Sequence, residues 1–326
     1  MRTSRSRLSS RVVSSLATVA LTTAMVFATL TAPAVAATKT RLVSGLAGGS
    51  GSAVGPDGAL YVTEGFAGRV SRVDPNTGAV TTFASGLPPS IVGIGGAMDL
   101  AFKGQTAYVL VTLVGPDVGG SDVVGIYRVD DPTHFTVIAD IGAFALAHPP
   151  ATSFFVPTGV QYAIQSVGDA FLVTDGHHNR VYRVTLGGRV TQRIIFDNIV
   201  PTGLEVRDGN RYVAQAGPVP HLPENGRIVR FRAGSRTVAE VARGGRLLVD
   251  VEFGAGHLFG LSQGFFTPGQ PDGSPADPNT GALLRVVGGG FTEVVSELDR
   301  PTSLDFIEGK AYVVTLTGEI WKIRLG

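Results

Sequence analysis

Two apolar segments flank a tight turn in the stretch Ser52-Ala53-Val54-Gly55-Pro56-Asp57-Gly58-Ala59-Leu60-Tyr61-Val62-Thr63-Glu64. Glycine and asparagine tolerate positive φ angles, so residues 55–58 are typical of a hairpin turn. Similar turns occur at residues 207–210 and 308–309. The flanking segments are rich in Val, Tyr and Ile and have no helical period, so they predict β-hairpins.

This hairpin belongs to a unit that occurs six times. The second strand of the unit reads Leu60-Tyr61-Val62-Thr63, Ala107-Tyr108-Val109-Leu110, Phe171-Leu172-Val173-Thr174, Arg211-Tyr212-Val213-Ala214, Leu258-Phe259-Gly260-Leu261 and Ala311-Tyr312-Val313-Val314. A third strand follows with a basic residue between apolar ones, at Arg72, Arg128, Arg183, Arg230, Arg285 and Lys322. Four strands in a period of about 40–60 residues are typical of a β-propeller blade.

The two ends of the chain complete one unit between them. The sixth unit stops at Gly326, directly after its third strand, while residues 38–46 resemble residues 80–87, the fourth strand of the first unit. We therefore predict an all-β, six-bladed propeller with four antiparallel strands per blade, whose last blade is closed by the N-terminal strand. This single domain spans residues 37–326. The alternative is two all-β domains, but no Pro/Gly/Ser linker separates two halves.

Residues 1–36 have the pattern of a signal peptide. Four arginines precede Val12, no charged residue follows as far as Ala34, and Ala34-Val35-Ala36 is a cleavage site for signal peptidase. We predict cleavage near Ala36 and a secreted, extracytoplasmic protein. An uncleaved membrane anchor is the alternative. No later apolar run is long enough to span a bilayer, so we expect no transmembrane helix after cleavage.

The composition excludes several classes of protein. The 326 residues are 44% hydrophobic and 16% charged, which excludes a disordered chain. They include no cysteine, which excludes disulfides and thiolate chemistry. The 27 basic residues are balanced by 26 acidic ones, which argues against nucleic-acid binding. We expect a monomer.

The blade pattern resembles NHL-like and gluconolactonase-like six-bladed propellers, and the whole chain resembles the ScyD/ScyE family of exported bacterial proteins. The resemblance is carried by residues 52–64, by Gly68-Arg69-Val70-Ser71-Arg72-Val73-Asp74 and by Pro157-Thr158-Gly159-Val160. It implies an exported propeller. The likeness to gluconolactonases further implies a divalent metal held in the channel by Glu, Asn and Asp. Glu64 and Asp175 are available for that role, but a channel-facing Asn pair is missing.

The loops after the second strands open at the mouth of the channel, where propellers favour ligand sites. Glu64, Asp175 and Gln215 follow these strands at equivalent places. A ring of acid and amide groups suits Ca²⁺, so Glu64 and Asp175 are candidate metal ligands. The alternative is a mouth ringed by solvated polar groups.

Asp175, His177, His178 and Asn179 form the sharpest polar cluster in the sequence. Histidine and carboxylate bind divalent metals or transfer protons, although a polar turn is the alternative. The fifth loop, from Ser262 to Gly281, adds Gln263 to the candidate mouth residues. Its Phe265 and Phe266, together with Phe154 and Phe155 of another long loop, are candidates for apolar contact with a ligand. The alternative is that these side chains only pack the loops down.

Side chains that recur in every blade are interpreted as scaffold, because a single site does not need six copies. That interpretation covers the basic series of the third strands. It also covers Asp99, Asp250 and Asp305, which follow the start of three first strands.

We predict a binding module whose partner at the mouth is a small molecule, a glycan or a protein. A metal-dependent hydrolase or lyase of the lactonase type is the alternative, so enzymatic activity is left open. A structural envelope protein is the third hypothesis, which a mouth plugged by the fifth loop would favour.

Overall fold

The computed structural model describes Met1, residues 36–271 and residues 273–326. The predicted signal peptide, residues 1–36, lies outside the described residues except for Met1 and Ala36. Within the described part of the chain, no helix is long and apolar enough to cross a membrane.

Six four-stranded antiparallel sheets make up residues 38–326, which confirms the predicted propeller. Blade 1 contains β2 (Gly49–Val54), β3 (Leu60–Glu64), β4 (Arg69–Val73) and β5 (Val80–Ser85). Blade 2 contains β6 (Gly96–Lys103), β7 (Thr106–Thr112), β8 (Gly125–Asp131) and β9 (His134–Asp140). Blade 3 contains β10 (Gln161–Val167), β11 (Ala170–Asp175), β12 (Arg180–Thr185) and β13 (Val190–Ile195).

The second half of the ring repeats this order. Blade 4 contains β14 (Pro201–Arg207), β15 (Asn210–Gln215), β16 (Arg227–Arg232) and β17 (Ala239–Arg243). Blade 5 contains β18 (Leu248–Gly254), β19 (His257–Ser262), β20 (Gly281–Val287) and β21 (Gly290–Leu298). Blade 6 contains β22 (Pro301–Ile307), β23 (Lys310–Thr315), β24 (Ile320–Arg324) and, from the other end of the chain, β1 (Thr38–Val43).

The N-terminal strand closes the ring as the sequence predicts. Strand β1 pairs with β24 in antiparallel register, with Thr38 opposite Arg324 and Thr40 opposite Lys322. Val43 is buried in a cluster with Val314 and Ile320, so the strand contributes apolar packing as well as backbone hydrogen bonds.

The first strands of consecutive blades contact one another all the way round, so they form the wall of a central channel. The hydrophobic core is distributed over the interfaces between blades. In one of these interfaces Ile138 of blade 2 packs in the same cluster as Phe171 and Val173 of blade 3. Each blade therefore buries its faces against its two neighbours, as the repeat pattern requires.

One short helix departs from the purely β prediction. Helix α1 (Ile141–Ala147) lies in the connection between blades 2 and 3. The Asp140 carboxylate accepts a hydrogen bond from the Ala143 N–H and caps the helix. With seven residues, the helix is too short for a periodic apolar pattern to reveal it in the sequence. Residues 157–160 lie in the same connection, with a turn at 157–158, and β10 begins at Gln161.

Candidate functional site

One end of the propeller carries the long loops and all four phenylalanines of the described chain that are more than a third exposed. We call this end the loop face: it comprises the loops between the second and third strands and the connections between blades. Phe66, Phe154, Phe155 and Phe265 expose 47%, 37%, 67% and 49% of their surface there. Exposed aromatic side chains from separate loops that gather on one face are typical of an interaction surface.

The fifth loop, residues 263–280, reaches over the mouth of the channel. A Cβ placed on Gly273 would lie 3.9 Å from Ile94 Cδ1, in the connection between blades 1 and 2 on the far side of the ring. Within the loop, the Ala276 N–H donates to Gln263 Oε1, so Gln263 holds the loop together. Phe266 is buried with Ala216 and Leu247 and anchors the loop, so for this residue the structure favours loop packing, the alternative to ligand contact.

A buried hydrogen-bond network occupies the predicted histidine cluster of blade 3. Tyr182 donates to Asp175 Oδ2 over 2.8 Å, and Arg180 Nε donates to the Tyr182 hydroxyl over 2.7 Å. Arg180 also donates to His178 Nδ1, whose ring donates through Nε2 to Val156 O. Burial lowers the pKa of His178, more than the nearby Asp175 raises it, so the ring is neutral. The network fastens the connection between blades 2 and 3 onto blade 3.

His177 and Asn179, on either side of His178, both accept hydrogen bonds from backbone N–H groups. His177 Nε2 accepts the N–H groups of Phe155 and Val156, at 2.8 and 3.0 Å. Asn179 Oδ1 accepts the N–H groups of Ile199 and Val200, both at 2.9 Å. In the structure this cluster shapes the loop face by holding its backbone.

Glu64, Asp175 and Gln215 end the second strands of blades 1, 3 and 4, where each pairs in register with an arginine that starts the third strand. Glu64 accepts hydrogen bonds from Arg69, from Ser71 and from the Ala47 N–H. Burial raises its pKa, but these hydrogen bonds outweigh burial and hold the pKa below the usual value. Glu64 and Asp175 thus have their partners in and beside their own blades rather than meeting at one point.

Gln215 stands where blades 1 and 3 have a carboxylate. Its Oε1 accepts from Arg227 Nε over 2.7 Å, and its Nε2 is a buried donor without a partner among the described residues.

The channel wall carries the acidic residues in two layers. In the first layer, Asp99 of blade 2 and Asp250 of blade 5 come from opposite sides of the ring. Each carboxylate accepts a backbone N–H of the next blade, from Ile164 and Leu304 respectively, at 2.8 and 2.7 Å. Gly51 and Gly203 of the preceding blades leave them room, since a Cβ at either position would lie within 2.5 Å of the aspartate.

The second layer lies two residues further along the first strands. It holds Gln165, Glu205, Glu252 and Asp305 of blades 3 to 6, each opposite the same position of its second strand. Gln165 Nε2 donates to Glu205 Oε2 over 3.0 Å. Asp305 therefore belongs to a different layer from Asp99 and Asp250, which corrects their predicted near-equivalence. Asp99 and Asp250 act as scaffold acceptors, as predicted, and they also place titratable carboxyl groups in the channel wall.

Burial raises the pKa of all five carboxylic acids. The pKa of Asp250 rises to about 8 and that of Asp305 to about 6, and the pKa values of Asp99 and Glu252 rise well above their usual values. Mutual repulsion adds to burial at Asp99, Asp250 and Glu252. At pH 7 Asp250 is therefore mainly protonated and Asp305 mainly ionised.

Two serines connect Asp250 to Asp305. Ser52 Oγ donates to Asp305 Oδ2 over 2.5 Å and lies 2.9 Å from Ser303 Oγ. Ser303 Oγ lies 3.4 Å from Asp250 Oδ2, which is at the long limit of a hydrogen bond. The two serine hydroxyls thus connect the Asp250 carboxyl group, a proton donor, to the Asp305 carboxylate, a proton acceptor.

The channel does not fit the metal centre that the gluconolactonase resemblance implies. In the described residues no group of three or more His, Asp or Glu side chains is arranged to hold an ion. Both oxygens of Asp99 and of Asp250 already accept backbone N–H groups. We therefore derive no step through a metal.

Sequence reasoning missed Glu205, Glu252, Ser52 and Ser303. The signal for them is the period of two along the first strand, which places residues i and i+2 on the same side of a sheet. Reading that period requires knowing where the strand begins, and each of the six inner hairpins has a register shift near its start.

Comparison with protein-family models gives no match, and comparison with curated proteins gives none either. Solved six-bladed propellers are similar in fold. A gluconolactonase from Xanthomonas campestris is 14% identical, with 89% of this chain and 90% of that chain covered and a TM-score of 0.61. The PQQ-bound aldose sugar dehydrogenase from Streptomyces coelicolor is 15% identical, with 90% and 100% covered and a TM-score of 0.60. Virginiamycin B lyase from Staphylococcus aureus is 14% identical, with 89% and 99% covered and a TM-score of 0.55.

Proposed function

We propose that this protein is an exported binding module that recognises a small molecule, a glycan or a protein through its loop face. The observation that carries the proposal is the gathering of Phe66, Phe154, Phe155 and Phe265 on loops of that one face. Strand β1 begins at Thr38, so cleavage near Ala36 would leave the ring closure intact. The ScyD/ScyE resemblance supports the same proposal, since it implies an exported propeller.

Two exposed rings of the loop face are held in place by neighbouring side chains, which supports a ligand that presents apolar surface. Phe265 lies against the Arg246 guanidinium, 3.3 Å from the ring centroid, so this ring is held in place while half of it stays exposed. Phe155 is packed edge-on against His177. Rings that are held in place lose little entropy when a ligand covers them.

The test screens arrays of glycans, peptides and small molecules with the mature chain and with two triple variants. The first, Phe66→Ser/Phe155→Ser/Phe265→Ser, removes the exposed rings of the loop face. The second, Val54→Ser/Leu186→Ser/Val287→Ser, removes exposed apolar side chains at the opposite end and is the control. We expect the loop-face variant alone to lose the hits. Hits that survive in that variant, or a wild type without hits, would contradict the proposal. The second result would favour a structural protein whose mouth is covered by the fifth loop.

A second candidate function is acid–base catalysis by a hydrolase or lyase in the channel. It is favoured by the joined pair of Asp250 and Asp305, whose pKa values of about 8 and about 6 suit an acid and a base at neutral pH. In this proposal Asp250 donates a proton to the substrate and Asp305 accepts a proton. Ser52 and Ser303 then carry the proton from Asp305 back to Asp250.

Activity on a panel of lactones, esters and cyclic peptides tests this candidate. We expect a bell-shaped profile of kcat/KM with limbs near the two pKa values, and a loss of about 10²-fold or more in Asp250→Asn. Asp169→Asn, at an exposed aspartate, is the control. Activity that survives Asp250→Asn would rule out the channel acid.

A further inference from the structure

A cavity of about 160 Å³ between blades 3 and 4 is lined by three arginines. Arg183 and Arg193 come from β12 and β13, and Arg211 comes from β15 of the next blade. The turn at Ala233 and Gly234 forms part of the wall. The cavity lies away from both the loop face and the channel carboxylates.

Arg193 occupies a position that is apolar in all other blades. The fourth strand of each blade has a β-bulge at an equivalent place, where one residue has no partner in the register. These residues are Leu42, Phe83, Ile138, Arg193, Val241 and Val294. The five apolar side chains pack into the clusters that join their blade to the next. A bulge can re-aim a side chain, and here it directs an arginine into an interface.

Arg211 departs from the repeat in the same way. The equivalent residues of the second strands are Leu60, Ala107, Phe171, Arg211, Leu258 and Ala311, and the five apolar ones are buried. At four other interfaces this residue shares a cluster with the bulged residue of the preceding blade, as Leu42 does with Leu60. Only the interface between blades 3 and 4 places two arginines there.

The arginines have few acidic partners. Arg193 Nη2 donates to the carbonyl oxygens of Arg232 and Ser235, and Arg211 Nη1 donates to that of Gly209. Arg183 pairs with Asp169, whose side chain is 84% exposed, and this is the one ion pair among the three arginines in the described chain. Burial and the charges of Arg211 and Arg236 lower the pKa of Arg193. Bringing these like charges together is unfavourable unless an anion offsets the repulsion.

We propose that this cavity binds an oxyanion with the chemistry of a phosphate or sulfate group. Guanidinium groups present paired donors that match the oxygens of such anions. A volume of about 160 Å³ is roughly five times the 30 Å³ share of one water molecule, enough for a tetrahedral anion with part of its ester or solvent shell.

The test is calorimetric titration of the full mature chain with inorganic phosphate, with sulfate and with glucose 6-phosphate, at an ionic strength held constant with chloride. We expect Arg193→Ile and Arg211→Leu each to weaken binding by about tenfold or more. The double variant should keep or exceed the Tm of the anion-free wild type, because it restores the apolar pair of the other blades. Arg189→Gln/Arg230→Gln removes the same charge from exposed positions and is the control.

A preference for inorganic phosphate or sulfate would identify a free anion as the ligand, and a preference for glucose 6-phosphate would identify a phosphate ester. Either preference, together with weaker binding by the Arg193→Ile/Arg211→Leu double variant, supports the site. Equal titration of the wild type and the double variant, or equal loss in the control, would overturn it.

Discussion

Asp250 shows at the residue scale how the channel couples stability to pH. Its carboxyl group accepts the Leu304 N–H of the next blade, and burial together with the charges of Asp305 and Glu205 raises its pKa from 3.8 to about 8. The folded protein therefore holds a proton that the unfolded chain releases near pH 4. The resulting stabilisation is present below about pH 4 and is lost as the pH rises through about 8.

We expect the Tm of the wild type to fall between pH 5 and pH 9, and Asp250→Asn to reduce that fall. The variant should also be less stable at pH 5, because the amide nitrogen of Asn cannot accept one of the two backbone N–H groups. Calorimetric melts across this pH range measure both effects, with Asp169→Asn as the exposed control. An unchanged slope in Asp250→Asn would show that this proton is not linked to folding.

Gln215 and Glu64 occupy equivalent positions at the ends of two second strands, one with an amide and the other with a carboxylate, and each pairs with an arginine. Gln215→Glu should raise the free energy of unfolding, because it removes the buried Nε2 donor of Gln215, which has no partner among the described residues. The new carboxylate would also face Arg227, which already donates to this side chain. Glu64→Gln should lower it by about 1–3 kcal/mol, since it places such a donor beside Arg69. Urea denaturation at pH 7 measures both changes. Changes of the same sign in the two variants would contradict this account.

At the scale of elements, the fifth loop is the segment that lies over the mouth of the channel. The loop is anchored by Phe266, which is 6% exposed, whereas the neighbouring Phe265 is 49% exposed. The backbone bond from Asp277 N–H to Phe265 O, at 2.7 Å, ties the two arms of the loop together.

We expect Phe266→Ala to raise amide hydrogen exchange in residues 263–280 by about tenfold or more, because the loop loses its buried anchor. Phe265→Ala is the control and should leave exchange unchanged. Exchange measured by mass spectrometry at pH 7 separates the two variants. Protection that persists in Phe266→Ala would mean that the backbone bonds alone hold the loop over the mouth.

At the scale of the whole molecule, the ring depends on one strand that comes from the far end of the chain. Without β1, strand β24 would present an unpaired edge, and the apolar cluster around Val314 and Ile320 would lose Val43. An exposed edge strand pairs readily with other chains.

A chain that begins at Ser44 should therefore melt about 5 °C or more below a chain that begins at Ala37, and it should form oligomers. Differential scanning calorimetry and size-exclusion chromatography measure these two properties, and the longer chain, expected to be a monomer, is the control. Equal melting of the two chains would show that β1 is dispensable for the closed ring.

The sequence by itself determined the number of blades, the four strands in each and the joining of the two ends. These features follow from local signals that recur along the chain, such as the hairpin turns at residues 55–58, 207–210 and 308–309 and the aromatic or leucine residue in each of the six second strands. A repeated local pattern specifies its own fold because each unit buries its faces only against its neighbours.

The tertiary structure alone decided which side chains meet. Ser52 and Asp305 are 253 positions apart and touch because the ring closes, and Arg193 and Arg211 meet because a bulge turns one of them into the interface. The side of a strand on which a residue lies changes with a register shift of one residue, and such shifts leave no clear mark in the sequence. For this reason the blades could be predicted from local pattern, while the channel acids and the arginine cavity required the closed structure.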